Sequence, residues 1–173
     1  MRRVTGPATA LLLIAGFVHG SSGTAHAQDF TLQVGSPVAV VPQPGVVFEK
    51  KVSKDTVFVV RPLGCPDPAS ARIVATAEGL VDGGRRSVRL RVESLQAPGV
   101  HAVSKTWPDG GVWVLSVTGT CAGRAAGAIV TLGPRDAYRR DGVELVAHHP
   151  TPVEIEAALH RSAQAGAAGA TSR

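Results

Sequence analysis

The chain has 173 residues, a formal net charge of +5 and few rings: four Phe, two Trp and one Tyr. That length allows one domain. So few rings leave little stacking surface for single-stranded nucleic acid. Arginine carries the charge, with only four lysines. The Ala/Gly/Val/Arg-rich usage of a high-GC bacterial genome accounts for it better than a polyanion partner, so no nucleic acid is expected.

In chain order, the first segment reads as a secretory signal, residues 1–27. Arg2 and Arg3 form the basic start, residues 8–18 an apolar run, and Ala25-His26-Ala27 an A-x-A cleavage site. The run falls short of the roughly 20 residues a membrane span needs, so no stable span is expected after cleavage; an uncleaved anchor is the alternative. Removing Arg2 and Arg3 takes the formal charge from +5 to +3. A periplasmic or secreted location follows. Residues 28–150 then read as a β-sandwich domain, 151–165 as a helix and 166–173 as a disordered tail.

Within the domain, residues 29–34 and 36–41 are short β-rich segments. Pro42-Gln43-Pro44-Gly45 breaks the chain, and Lys50, Lys51 and Lys54 mark a solvated stretch. Residues 56–60 (TVFVV) predict a buried strand. Residues 61–68, with three prolines, predict irregular backbone. Residues 70–80 alternate with Ile73, Ala75 and Ala77 inward, a strand for which the alanine content leaves a helix possible. Asp82-Gly83-Gly84 is a turn. Residues 86–92 (RSVRLRV) alternate cleanly, with Val88, Leu90 and Val92 inward and Ser87, Arg89 and Arg91 outward. Arg89 and Arg91 are a solvated face or an anion-binding stripe.

The stretch 98–121 predicts a hairpin. Residues 101–107 form one strand, Pro108-Asp109-Gly110-Gly111 the turn and residues 112–118 the returning strand. Trp113, Leu115 and Val117 point to the core. The opposite face is also apolar at Val112 and Val114, which predicts a central strand covered on both sides. Residues 125–132 and 143–147 are further strands, joined through a polar, arginine-bearing loop. Thr151-Pro152-Val153-Glu154 is a capping box, with Pro at the first helical position. The helix should end near Gln164. Its apolar stripe, Ile155, Ala158 and Leu159, is thin and suits weak packing or a partner.

The two cysteines, Cys65 and Cys121, read as one structural disulfide in an exported chain. The bridge closes a loop of about 55 residues and contributes on the order of 4 kcal/mol by chain entropy. A redox pair would prefer C-x-x-C, and a metal pair needs more ligands. The pattern as a whole predicts a mainly β fold, an immunoglobulin-like β-sandwich with one disulfide and a short C-terminal α-helix.

The run PGVHAV…WPDGGVWVLSVTG resembles the last hairpin of bacterial exported immunoglobulin-like domains of the YtkA-like and FixH-like kind. The resemblance covers about twenty residues. It implies a small exported sandwich and transfers no site residue. Some relatives of that shape handle copper.

Catalytic signatures are not seen: no G-x-S-x-G nucleophile elbow, no close carboxylate pair and no phosphate-binding glycine loop. Neither catalytic residues nor a cofactor are assigned. The candidate metal ligands are His148 and His149, with His160 or His101 as further donors, since neutral imidazole suits copper or zinc. The mature chain has no Met to serve soft Cu(I). The leading expectation is a non-enzymatic binding or interaction module of the cell envelope, with an envelope protein as partner. Metal handling through the His148/His149 region is the alternative.

Overall fold

A computed structural model describes residues 29–37 and 53–171, with side chains through Gly166. The expected signal segment, most of the second β-rich segment and the lysine-bearing stretch before Ser53 lie outside the described residues.

Two antiparallel sheets face each other. The first holds four strands in the order β1 (Thr31–Gly35), β2 (Thr56–Leu63), β6 (His101–Ser104) and β5 (Arg91–Ser94). The second holds five: β4 (Gly84–Arg89), β3 (Arg72–Val81), β7 (Val112–Cys121), β8 (Arg124–Thr131) and β9 (Val143–Val146). Between them lie Leu32, Phe58, Val60 and Val103 from the first sheet. The second sheet contributes Ala75, Ala77, Trp113, Leu115, Val117, Ala128 and Val130. Strand alternation puts these residues on the inner faces.

Two hairpins use the turn chemistry their sequence carries. Asp82-Gly83 joins β3 to β4, and Ala122-Gly123 joins β7 to β8. All four residues have positive φ, the geometry that matches the twist of paired strands.

The stretch 98–121 does not form a hairpin. Strand β6 pairs with β2 and β5 in the first sheet, whereas β7 pairs with β3 and β8 in the second. Pro108–Gly111 is an arch that carries the chain across the core. Gly110 and Gly111 have the positive φ expected of a turn, but burial decides the partners. Trp107 and Trp113 are both buried, with ring centroids 6.5 Å apart, and together fill this end of the space between the sheets. The Trp113 indole N–H donates to Gly110 O at 2.7 Å and holds the arch. Trp113 also lies directly over Gly79, where a Cβ would collide with its ring.

The run 86–92 also divides. Residues up to Arg89 belong to β4, and residues from Arg91 belong to β5 in the other sheet. Leu90 is the crossing point, buried, with its N–H donating to Ala75 O at 2.9 Å. Val88, Leu90 and Val92 all face the core as the alternation predicts. Alternation reports the face of a strand and not its neighbour.

Strand β2 continues through Arg61, Pro62 and Leu63, where irregular backbone was expected. β6 pairs with β2 only as far as Val60, so Pro62 stands opposite Leu32 in a ladder flanked on one side only. A proline is tolerated where one side of the strand has no partner to receive an N–H.

Cys65 and Cys121 form the expected disulfide. Cys65 follows β2 and Cys121 ends β7, so the bridge ties one sheet to the other.

The helix α1 (Pro152–Thr171) starts at the expected capping box. The Thr151 N–H donates to Glu154 Oε2 at 2.8 Å, and the Glu154 N–H donates to Thr151 Oγ1 at 3.3 Å. The helix passes the expected end at Gln164 and runs into the segment read as a tail. Its apolar stripe is not left for a partner. Ala158 and Leu159 are fully buried against Val114 and Ile129, on the outer face of the five-stranded sheet, with Leu80, Val112 and Ile155 around them. Strand β7 is thus covered on both faces. Among the described residues no helix is long and apolar enough to cross a membrane.

His101 lies on β6, 7% exposed, with Nδ1 3.4 Å from Ser94 Oγ. Burial holds its imidazole below the ordinary 6.5. Below that pH the unfolded chain takes up a proton that the folded chain refuses. Stability therefore falls as pH drops from 6.5 towards the depressed folded value. Denaturant titrations at about pH 7.5 and 5.5 should show this loss, and His101→Gln should reduce it. Leu159→Ala should cost about 2–4 kcal/mol in a urea titration, because it opens a cavity under the helix.

Candidate functional site

Residues 132–142 connect β8 to β9 and act as a strap from the second sheet to the edge of the first. Two 3-10 turns shape it, at Pro134–Asp136 and Arg140–Gly142. Three contacts fasten it. Lys105 Nζ lies 2.7 Å from Asp136 Oδ2, the Tyr138 hydroxyl donates to Val34 O at 3.0 Å, and the Thr131 hydroxyl donates to Gly142 O at 3.1 Å. The Lys105 ammonium is held above its ordinary range, first by its bond to Asp109 and then by Asp136. The Tyr138 ring packs against Phe58, with centroids 6.3 Å apart.

The strap and the β1/β2 ladder enclose a cleft of about 530 Å³. Val59 and Val100 form the base of its lining, Val34 lines it from β1, and Gln33, Ser36, Arg61, Tyr138 and Arg140 supply polar groups. Gln33 and Arg61 are direct partners in the β1–β2 register, so they project to the same face of the sheet. Arg140 comes from the second turn of the strap. Its neighbour Arg139 is engaged by Asp141, with Nε 3.0 Å from Oδ1. Among the described residues the lining includes no Asp, Glu, His or Cys.

Burial pushes the Tyr138 phenol above its ordinary pKa, with the Arg140 charge pulling it partly back. Tyr138 is therefore protonated at neutral pH. Among the described residues the lining of the cleft offers hydrogen-bond donors, two guanidinium groups and apolar surface.

The sequence-derived site residues lie elsewhere. His148 and His149 sit between β9 and α1, both exposed. His148 Nε2 is 3.0 Å and 3.2 Å from the two oxygens of Glu154, the glutamate of the capping box. That carboxylate is held below its ordinary pKa, first by the Thr151 N–H and hydroxyl and then by His148. His160 Nε2 lies 3.1 Å from Glu156 Oε1, and His101 is buried in the opposite sheet. Among the described residues no three His, Cys, Asp or Glu side chains gather as a metal ion requires. Arg89 and Arg91 flank the crossing at Leu90, both exposed, and Arg91 Nε is 3.7 Å from Glu93 Oε1.

The sequence did not single out Gln33, Arg61, Tyr138 or Arg140. Two signals were present: an arginine inside an otherwise apolar β run, and the chain's single tyrosine within an arginine-rich loop. Both acquire meaning only when the strap is laid against β1. No protein-family model, curated protein or solved structure matches the chain.

Tyr138→Phe should cost about 1 kcal/mol in denaturant titration, since it leaves Val34 O without that donor while the ring still packs on Phe58.

Proposed function

We propose that this chain is an exported, non-enzymatic binding module of the cell envelope, built on an immunoglobulin-like sandwich. One observation carries the reading. The cleft under the strap offers hydrogen-bonding and cationic groups beside apolar surface, and among the described residues its lining holds no nucleophile–base pair. The inter-sheet disulfide supports an oxidising compartment, in keeping with the A-x-A cleavage site at Ala25-His26-Ala27. The fastened strap supports binding with little rearrangement, because ion-pair, hydroxyl and ring contacts hold it to the first sheet and Thr131 holds its last residue to the second.

The partner expected for such a module is an envelope component. The helix does not offer its apolar stripe to that partner, because Ala158 and Leu159 are already buried. Among the described residues the cleft is a concave surface suited to recognition.

Expression of the full chain in a bacterial host, followed by fractionation and native mass spectrometry, tests the reading. The expected species begins at Gln28, carries the oxidised Cys65–Cys121 bridge and is recovered outside the cytoplasm. A reduced, unprocessed chain confined to the cytoplasm would overturn export. A stoichiometric copper or zinc adduct that is lost in His148→Ala/His149→Ala would replace the reading with metal handling.

A further inference from the structure

We propose that the cleft between the strap and the β1/β2 ladder binds a small amphipathic anion, a carboxylate or phosphate group carried on a short apolar body. This inference rests on the binding-module reading and names its ligand class.

Charge argues first. Arg61 and Arg140 bring two guanidinium groups from separate elements to one concavity, and none of the described lining residues is acidic. The acid nearest to Arg140 in sequence, Asp141, has its carboxylate in the fork of Arg139. Among the described residues no ion pair engages Arg61 or Arg140, which leaves both to an incoming oxyanion, bound by guanidinium through paired N–H donors. Gln33, across the ladder from Arg61, adds an amide N–H₂ on the same face. Tyr138 brings a neutral phenol, so among the described residues no charge in the lining repels an anion.

The apolar surface argues next. Val59 and Val100 keep little open surface of their own, but the lining as a whole exposes more apolar than polar surface. Inorganic phosphate alone would leave that apolar surface uncovered. An alkyl or aryl body would remove it from water and add to affinity in proportion to the area buried. The cleft volume, about 530 Å³, is within the range of small-molecule sites.

The cationic surface at Arg89 and Arg91 makes a useful contrast. Arg91 already has Glu93 beside it, and neither arginine lines this cleft. Charge without a cleft or an apolar lining is an ordinary solvated face.

The test is calorimetric titration of the disulfide-intact mature chain with hexanoate, hexyl phosphate, hexanol, hexylamine and inorganic phosphate. Both hexyl anions should bind one per chain, more weakly as salt rises. Hexanol, which lacks the charge, and inorganic phosphate, which lacks the body, should each bind at least about tenfold more weakly. Arg61→Gln/Arg140→Gln should weaken both hexyl anions at least about tenfold without lowering the melting temperature, because both residues are exposed. A preference for hexanoate over hexyl phosphate, or the reverse, assigns the oxyanion. Absence of saturable binding by either anion overturns the inference. Equal affinity in the double variant does so too. Tight binding of hexanol or hexylamine that a bulky substitution at Val59 abolishes would overturn the ligand class while leaving the module reading in place. Retention of a reduced chain in the cytoplasm would remove the module reading without bearing on the cleft.

Discussion

Strand β7 has no solvent face to spare. Trp113, Leu115 and Val117 point between the sheets, and Val114 points the other way, under Leu159 of the helix. Its neighbours on both sides are strands, β3 and β8, so its backbone groups are also paired. A strand buried on two faces and two edges can sit only at the centre. Much of the fold follows from that. The second sheet grows outward from β7, the first sheet closes over its Trp face, and the helix closes over its Val114 face. The disulfide at the strand's last residue ties this centre to the opposite sheet.

Two of the three crossings between sheets, β4 to β5 and β6 to β7, obey the same constraint. At Leu90 and at the Pro108–Gly111 arch, the chain leaves one sheet for the other while keeping an apolar residue in the core. Leu90 does this within a run that stays extended to both sides, and Trp107 and Trp113 bracket the arch. Each crossing costs ladder hydrogen bonds locally. Leu90 N recovers one through Ala75 O, and the Trp113 indole satisfies Gly110 O. The Arg-bearing strands that result, β4 and β5, lie at the sheet edges, where charge discourages pairing with another chain.

The cleft is a consequence of how the other side of the molecule is closed. β1 and β9 are the edge strands there, and the strap spans from one sheet to the other. Tyr138 anchors it to the backbone of β1 and to the ring of Phe58, so the concavity has a fixed wall. The histidines of the β9–α1 connection have a different role. His148 completes the hydrogen bonding of a helix cap, and its imidazole is spent on Glu154. The same capping box that makes the helix start legible from sequence thus accounts for one of the two histidines that sequence offered as ligands.

Local chemistry settled a good deal without tertiary information. Asp82-Gly83-Gly84 marked the turn between β3 and β4, the capping box placed the helix start, and period-2 alternation identified which side chains of residues 86–92 and 112–118 face inward. Two cysteines in a chain with an export-like start implied their bridge. These features depend on residues within a few positions of one another, or on a pair with no other partner. Strand pairing depends on which distant segment offers a complementary face, and period-2 alternation is blind to that. For this reason 98–121 reads as a hairpin although its strands belong to opposite sheets, and RSVRLRV reads as one strand although it divides at Leu90. The cleft was hidden for the same reason. Gln33 and Arg61 meet through sheet register, and Tyr138 and Arg140 reach them only because the strap folds over β1, a juxtaposition of segments some hundred residues apart that tertiary packing alone brings about.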